Sequence, residues 1–509
     1  MKTTIHITLA SALLTCLATS CQKEEIFLEK QNPGQITNAT FFQSQNDAIY
    51  AVNAAYGPLQ SGNLYHNQYF NMFDIGIELS PTSNIPASWH ISTYTFDATS
   101  PPVRDVWTGL YQIVARANFA IQGIDKMTTL TPALKNRLLG EAHFLRGWAY
   151  FELAVSWGRV PLFTEFASNA ATSNLPRAAT ELEVYRQAIA DFEIAEANLP
   201  VSYTGADVGR ATKGAAVGYL GKMYLYMASP GVNLAPDGYT RAETYFKRLT
   251  GSEFNYGLID NYLDNFTATN ENNRESLFEV QYARLGGTTG AWNAHDFASV
   301  AEGTNRARTY GYLNWYNAFM NINYVNRFEA TDPRQRYTAY GPPSPAQPRP
   351  TTLFNGVVYR RADWSVRKYG LYDVMPANQV DGDSPINFRV MRYADVLLML
   401  AESLVEQGKV AEAIPYVNQV RARVDLPDVT ATTQPEARLV VRNERLWELG
   451  LEQIRKKDVL RWGKETAEAE FRVSNLSAFR YDVHRYLPIP QQEIDSNLAI
   501  DISDQNPGY

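Results

Sequence analysis

The sequence predicts a mainly α-helical fold, a tetratricopeptide-like scaffold of helix pairs carrying long irregular inserts and a few short strands. Three observations lead there. Between Phe388 and Val424, Val390, Tyr393, Ala394, Leu397, Leu398, Ala401, Leu404 and Val405 form one apolar stripe at helical spacing, and Ala411, Ile414, Val417, Val420 and Val424 form another beyond Gly408. Ala394, Ala401, Ala411 and Ala413 are small enough for the two backbones to approach closely, with Pro415 the one residue that costs a helical N–H. The same order, a helix rich in small residues followed by a plainer one, returns in residues 135–163 with 184–200 and in 209–230 with 240–250. A lone pair cannot bury its own stripe, so the pairs must stack. No fixed 34-residue period relates them, which makes the array degenerate.

Taken in order, the chain opens with Lys2 and an apolar run from Ile7 to Ala18, too short for a permanent bilayer span and shaped like a secretory signal. Residues 1–20 are expected to be cleaved. LATSC resembles a bacterial lipoprotein box, which makes Cys21 the predicted lipid anchor, and the following CQKEE resembles the acidic tag of lipoproteins sent to the outer face of the outer membrane. Cys16 and Cys21 are the only cysteines, so no disulfide framework or cysteine metal site is expected further on. A net charge of -7 and a pI near 5.6 argue against nucleic acid as a partner. The 31 tyrosines, which pack at one end and hydrogen-bond at the other, point to a recognition surface.

After a polar tether to about Gly34, residues 46–59 and 104–127 read as the first helix pair. The stretch between them holds Tyr65, His66, Tyr69, Phe70, Trp89, His90 and Tyr94; a loop of that length in a compact domain is usually functional or disordered, and its aromatics favour the former. Residues 21–250 form the N-terminal helical part, 251–387 a large insertion expected to bind ligand, and 388–509 the closing helix pair with a terminal segment. Within the insertion SLFEVQYA and VVYRRADWSVRKY alternate like strands, while GPPSPAQPRP excludes regular structure. Trp292, Tyr310, Tyr312, Trp315, Tyr316 and Trp364 lie there among glycines and asparagines. Residues 437–464 read as one long charged helix.

On that helix Glu444, Glu448, Glu452, Arg455, Asp458 and Arg461 recur every three or four residues. A row of carboxylates suits a glycosidase or a di-metal site, but the interleaved cations, such as Lys456 after Glu452, and the missing histidine favour a structural ion-pair network. His66, His90, His143, His295 and His484 lack the spacing of a zinc helix, and neither GxSxG nor GxxxxGK occurs. Asp74 and Glu78 stand near each other without a second element to mark them catalytic. The expectation is a protein that is not an enzyme and needs no metal or cofactor. Trp107, Trp148, Trp157, Trp447 and Trp462 fall in helical segments and are read as core.

The blocks GEAHFLRGWAYFELAVSWGRVPL, GRATKGAAVGYLGKMYLY, NRESLFEVQY, RYADVLLMLAES, NQVRARV, NERLWELGLEQIRKKDVLRWG, YLPIPQQEID and QNPGY resemble, in order, the signature segments of the SusD/RagB family. Leu498 stands where the family commonly has proline. The resemblance implies a lipid-anchored outer-membrane protein facing the cell exterior, with a tetratricopeptide-like scaffold that caps a TonB-dependent (SusC-like) transporter and captures nutrients, mostly glycans. It also implies a ligand site built from aromatics of the early and the middle insertion, which makes Trp89, Trp292, Tyr310 and Trp315 the candidates. Such aromatics suit the apolar C–H face of a sugar ring. An oligopeptide, as in the RagB branch, is the alternative ligand. A secreted glycoside hydrolase is the alternative of a different class.

Overall fold

The computed structural model describes residues 41–81, 86–167, 169–282, 318–341, 364–369 and 386–509, with the backbone alone for 86–89 and 170–171. The chain divides into two units, residues 1–47 and 48–509. In the first, the Asp47 carboxylate accepts hydrogen bonds from the Ser44 hydroxyl (2.8 Å) and N–H (2.6 Å), which hold its pKa below the usual range. Helices α1 (Gln45–Tyr56), α2 (Gln68–Phe73), α3 (Pro86–Thr93), α4 (Pro101–Lys126), α5 (Pro132–Trp157), α6 (Glu181–Asn198), α7 (Lys213–Ala228) and α8 (Gly238–Leu249) precede the middle insertion. After it come α9 (Tyr393–Glu406), α10 (Val410–Ala422), α11 (Gln434–Glu448), α12 (Arg455–Arg461) and α13 (Lys464–Val473). Among the described residues there are also six short strands: β1 (Leu79–Pro81), β2 (Ser276–Val280), β3 (Ala318–Met320), β4 (Ala339–Tyr340), β5 (Ser365–Val366) and β6 (Phe388–Arg392).

The sequence marks the helix ends chemically. Thr131 accepts from the Leu134 N–H ahead of Pro132 to start α5, Thr212 accepts from Ala215 to start α7, and Thr433 and Glu436 form a capping box on α11. Gly158, at φ +72°, ends α5 in a conformation open mainly to glycine. Each long helix then packs on the next, α4 on α5, α5 on α6, α6 on α7 and α7 on α8. The array continues directly from α8 to α9, and α9 carries α10 and α11, so the middle insertion leaves the stacking unbroken. Small residues make the close approach possible, as expected. A Cβ on Gly147 would sit 3.0 Å from the Asp191 Cβ, and one on Gly221 would sit 2.5 Å from the Phe246 ring. The contact at Gly147 is sealed by Arg146, whose guanidinium donates to both Asp191 oxygens (3.0 and 2.7 Å), and by His143 (2.7 Å). Burial opposes ionisation of Asp191, yet these partners prevail and lower its pKa.

Three sequence expectations change, each for a local reason. The expected helix start at Val390 is instead strand β6, paired antiparallel to β2 with Val280 opposite Phe388 and Glu279 opposite Arg389. All five residues of β6 are buried, and a short run buried on both faces carries no period that separates strand from helix. The expected single helix over residues 437–464 is α11, then a turn, then α12, with α13 beginning at Lys464. In the turn Leu451 and Gln453 adopt φ +61° and +56°. The early insertion, finally, is no open loop. It folds into α2, β1 and α3, and Tyr65, Tyr69, Phe70 and Tyr94 are core residues at most 5% exposed.

Candidate functional site

Strand β1 pairs antiparallel with β3, Leu79 opposite Met320, Ser80 opposite Phe319 and Pro81 opposite Ala318. Leu79, Pro81, Ala318 and Met320 point into the core, while Ser80 and Phe319 are half-buried on the other face, the alternation that a strand imposes. The Met320 N–H donates to the Trp364 carbonyl (3.0 Å) and the Asn321 N–H to the Glu78 carbonyl (2.8 Å), which extends the ribbon on both sides. Trp364 packs half-buried against the core. Helix α3 follows β1 in sequence, contacts it, and buries Ile91. One ribbon therefore joins the early insertion, through β1, to the middle insertion, through β3 and Trp364.

Of the predicted site residues, Trp89 lies on α3, where only its backbone is described. Trp292, Tyr310 and Trp315 lie outside the described residues, as does Cys21. Trp315 stands three positions before Ala318 in the chain.

The row of carboxylates that the sequence singled out is buried and has a structural role. Arg392 donates to Glu448 (2.5 Å), Glu452 (2.8 Å) and Glu275 (2.8 Å). Arg334 reaches Asp332 (2.8 Å), Glu444 (2.6 Å) and Glu448 (3.0 Å), and Arg423 closes on Glu448 and Glu275. A second set joins Arg445 to Asp395 and Asp458, and Arg461 to Asp458 and Glu402. Burial would raise Glu448, but the guanidiniums of Arg423, Arg392 and Arg334 outweigh it and hold this carboxyl well below the usual range. A carboxylate so held cannot serve as a general acid. The expected Glu452–Lys456 pair does not form. The broken helix turns Lys456 toward the Met72 carbonyl (3.1 Å), burial lowers its pKa to about 7, and Glu452 instead takes Arg392 and Lys368.

Asp74 and Glu78, fully buried, hold the turn that breaks the helix. Glu78 accepts from the Leu451 N–H (3.2 Å), while Asp74 accepts from the Gln453 N–H (3.1 Å) and side-chain amide (2.8 Å). From the opposite side Lys368 donates to the Gly450 carbonyl (2.8 Å). Burial, reinforced by the neighbouring Asp74, pushes the Glu78 carboxyl well above its usual range. Such a carboxyl can be a catalytic acid, yet here it is sealed in the core with its role in the turn filled.

Two open clefts have other carboxylates in their walls. One, of about 430 Å³, lies between Tyr203, Arg210, Tyr256 and Arg274, with Glu279 on its floor, whose oxygens accept from the Asn272 N–H and the Asn387 amide. The other, of about 510 Å³, is walled by Trp157, Tyr481 and Tyr486. In it Glu181, raised by burial, accepts from the Tyr486 hydroxyl (2.5 Å), Asp482 pairs with Lys464, and Asp504 accepts from the Asp501 N–H. Every carboxylate named has a structural partner. Among the described residues no group of three or more His, Cys, Asp or Glu is placed to hold a metal, and no helix is long and apolar enough to cross a membrane.

Sequence reasoning missed Asn387 and the reach of Asp74 and Glu78 to residues 451–453. Their partners are more than a hundred positions away, so no local pattern could announce them.

Residues 335–509 match the SusD family, and residues 26–225 match a family described as starch-binding and associating with the outer membrane. The SusD-like protein P25 of Formosa agariphila is 26% identical, with 96% of this chain and 97% of that protein covered. A SusD-like protein of Bacteroides ovatus is also 26% identical, covering 91% and 83%. Among solved structures, a laminarin-binding SusD-like protein is 25% identical with a TM-score of 0.76, over 92% of this chain and all of that one. Surface glycan-binding protein A of Bacteroides thetaiotaomicron, solved with laminarihexaose, shares the fold at 21% identity and a TM-score of 0.74, over 91% and 99%. Both ends of the chain match, the relatives align over nearly its whole length, and the fold is shared with solved members: the chain belongs to the SusD/RagB family.

Proposed function

We propose that this protein captures a glycan without cleaving it, through aromatics of its two insertions, and delivers it to a TonB-dependent, SusC-like transporter while anchored to the exterior of the outer membrane by Cys21. The observation that carries the reading is the β1–β3 pairing, which ties the insertion bearing Trp89 to the insertion bearing Trp292, Tyr310 and Trp315. Aromatics supplied from two sequence-distant inserts can form one platform for sugar rings only if their scaffolds meet. Support also comes from the relatives, one of which binds laminarin and another of which was solved with laminarihexaose. The description of the matched family places its members at the outer membrane. The partnered carboxylates favour binding over hydrolysis, which needs an acid and a second carboxylate free to face the substrate.

The test is a panel of polysaccharides, laminarin and starch among them, and a set of oligopeptides, each titrated against the purified protein and then chromatographed. Saturable binding of at least one polysaccharide, with its length distribution unchanged, is expected. Binding confined to peptides, or new reducing ends that vanish when one Asp or Glu is replaced, would overturn it.

A further inference from the structure

The cleft of about 430 Å³ opens between the connection from α6 to α7, residues 254–256, and residues 272–279, which run into β2. Two tyrosines shape it, and both turn their hydroxyls inward. Tyr203 is half-buried, yet its hydroxyl is enclosed, with Glu141 nearby, so the side-chain surface it offers is ring carbon. Tyr256 sets its hydroxyl beside Thr212 (3.4 Å) and against Gly214, where a Cβ would collide with it, and its ring stacks on Phe254 (5.8 Å, 24°). A tyrosine placed only for solubility does the reverse, with its ring packed inside and its hydroxyl in water. Val201 and Val208, each 45% exposed, carry the apolar wall out to the lip.

The wall that bears Tyr203 is held in place by the protein itself. Arg210 donates to Asp207 (2.7 Å) and Glu141 (2.9 Å), Arg137 donates to the same Asp207 (2.8 Å), and the Lys213 N–H donates to the Pro200 carbonyl (2.8 Å). A wall fixed in this way has little freedom to lose on binding. The same bonds neutralise it. Of the residues lining the cleft only Arg210, Arg274 and Glu279 are charged, and the other two are matched as well, Arg274 by Asp260 (3.0 Å) and Glu279 by Arg389 (3.3 Å). An anionic ligand would find no spare cation there. At the rim the exposed Ser202 hydroxyl and Asn255 amide make no hydrogen bond within the described residues, and both can donate and accept.

We infer that this cleft is a second glycan site, in which a short stretch of a neutral sugar chain lies on the rings of Tyr203 and Tyr256 with Ser202 and Asn255 at its hydroxyls. Ring faces below, amide and hydroxyl groups at the edge and no net charge are the chemistry that such a chain needs. The inference rests on the proposed reading of the protein as a glycan binder, but the site shares no residue with the platform of Trp89, Trp292, Tyr310 and Trp315.

The test uses the full chain as wild type, Tyr203→Ala and Val208→Glu, the last placing a charge at the lip through a residue that is already exposed. Laminarin and starch are titrated against each protein, melting temperatures are recorded, and hydrogen–deuterium exchange of residues 201–212 and 254–256 is followed with and without the polysaccharide that binds. Exchange in both segments is expected to slow in wild type. Each substitution is expected to weaken affinity by about five- to tenfold, as loss of an aromatic contact does, with melting within a few degrees of wild type. If Tyr203→Ala does not fold, Val208→Glu decides. Wild-type affinity in the folded variants, or exchange unchanged in both segments, overturns the cleft and leaves the insertion platform standing. Loss of affinity in Tyr203→Ala beside wild-type affinity in the Trp89→Ala, Trp292→Ala double variant supports the cleft and removes the platform. If neither neutral polysaccharide binds, the inference falls, and a charged polysaccharide that binds would leave the proposed function standing without it.

Discussion

Glu271 sits half-buried against Asn387, and burial pushes its pKa from 4.5 up to about 7, the Asn387 N–H and Arg389 opposing the rise and Glu279 adding to it. The folded protein therefore binds this proton more tightly than the unfolded chain does. Its stabilising contribution is complete below pH 4.5 and is lost as pH rises through about 7. Glu271→Gln keeps an acceptor for the Asn387 N–H and removes the titration. Its melting temperature should fall less than that of wild type between pH 5.5 and pH 8, with the gain over wild type largest at pH 8. Parallel melting curves across that range would show that Glu271 does not titrate near neutrality. A neighbouring lesson concerns the row Glu444, Glu448, Glu452. Its charge balance was readable from the interleaved cations. Its true partners, Arg334, Lys368, Arg392, Arg421 and Arg423, come from other parts of the chain and were not.

At the scale of elements, α4 to α10 could be read from apolar spacing, caps and small residues because each buries a stripe against a near neighbour in sequence. Other features could not. β6 is buried throughout, and the break between α11 and α12 is imposed by Asp74, Glu78 and Lys368 on a sequence whose helical spacing runs on. Tertiary contacts override local propensity there. The break has a tight neighbour: a Cβ on Gly450 would lie 1.8 Å from the Tyr324 hydroxyl, which donates to the Leu446 carbonyl (3.1 Å). Gly450→Ala should destabilise by roughly 1 to 3 kcal/mol, as overpacking does in a core. In a Tyr324→Phe background the same change should cost less, because the colliding oxygen is gone. Denaturant unfolding of the four proteins measures the coupling, and strictly additive effects would mean that Tyr324 does not confine Gly450.

For the molecule as a whole, a helical array supplies the rigid body and two insertions supply the side chains proposed to meet ligand. The array's class was evident from sequence, as was the family resemblance. The location of the site was evident only as two insertions rich in aromatics, since nothing local in LSP or AFM says that Leu79 lies opposite Met320. That pairing turns two separate inserts into one place, and the central claim is that the place is a platform for sugar rings. The most direct measurement is glycan affinity and melting temperature on the Trp89→Ala, Trp292→Ala double variant beside wild type. The account predicts a loss of roughly 1 to 3 kcal/mol of binding for each ring, about five- to 150-fold apiece, with melting almost unchanged because a ligand-facing platform adds little to the core. Wild-type affinity in the double variant, with melting lowered by several degrees, would contradict it and make these rings pins of their own loops.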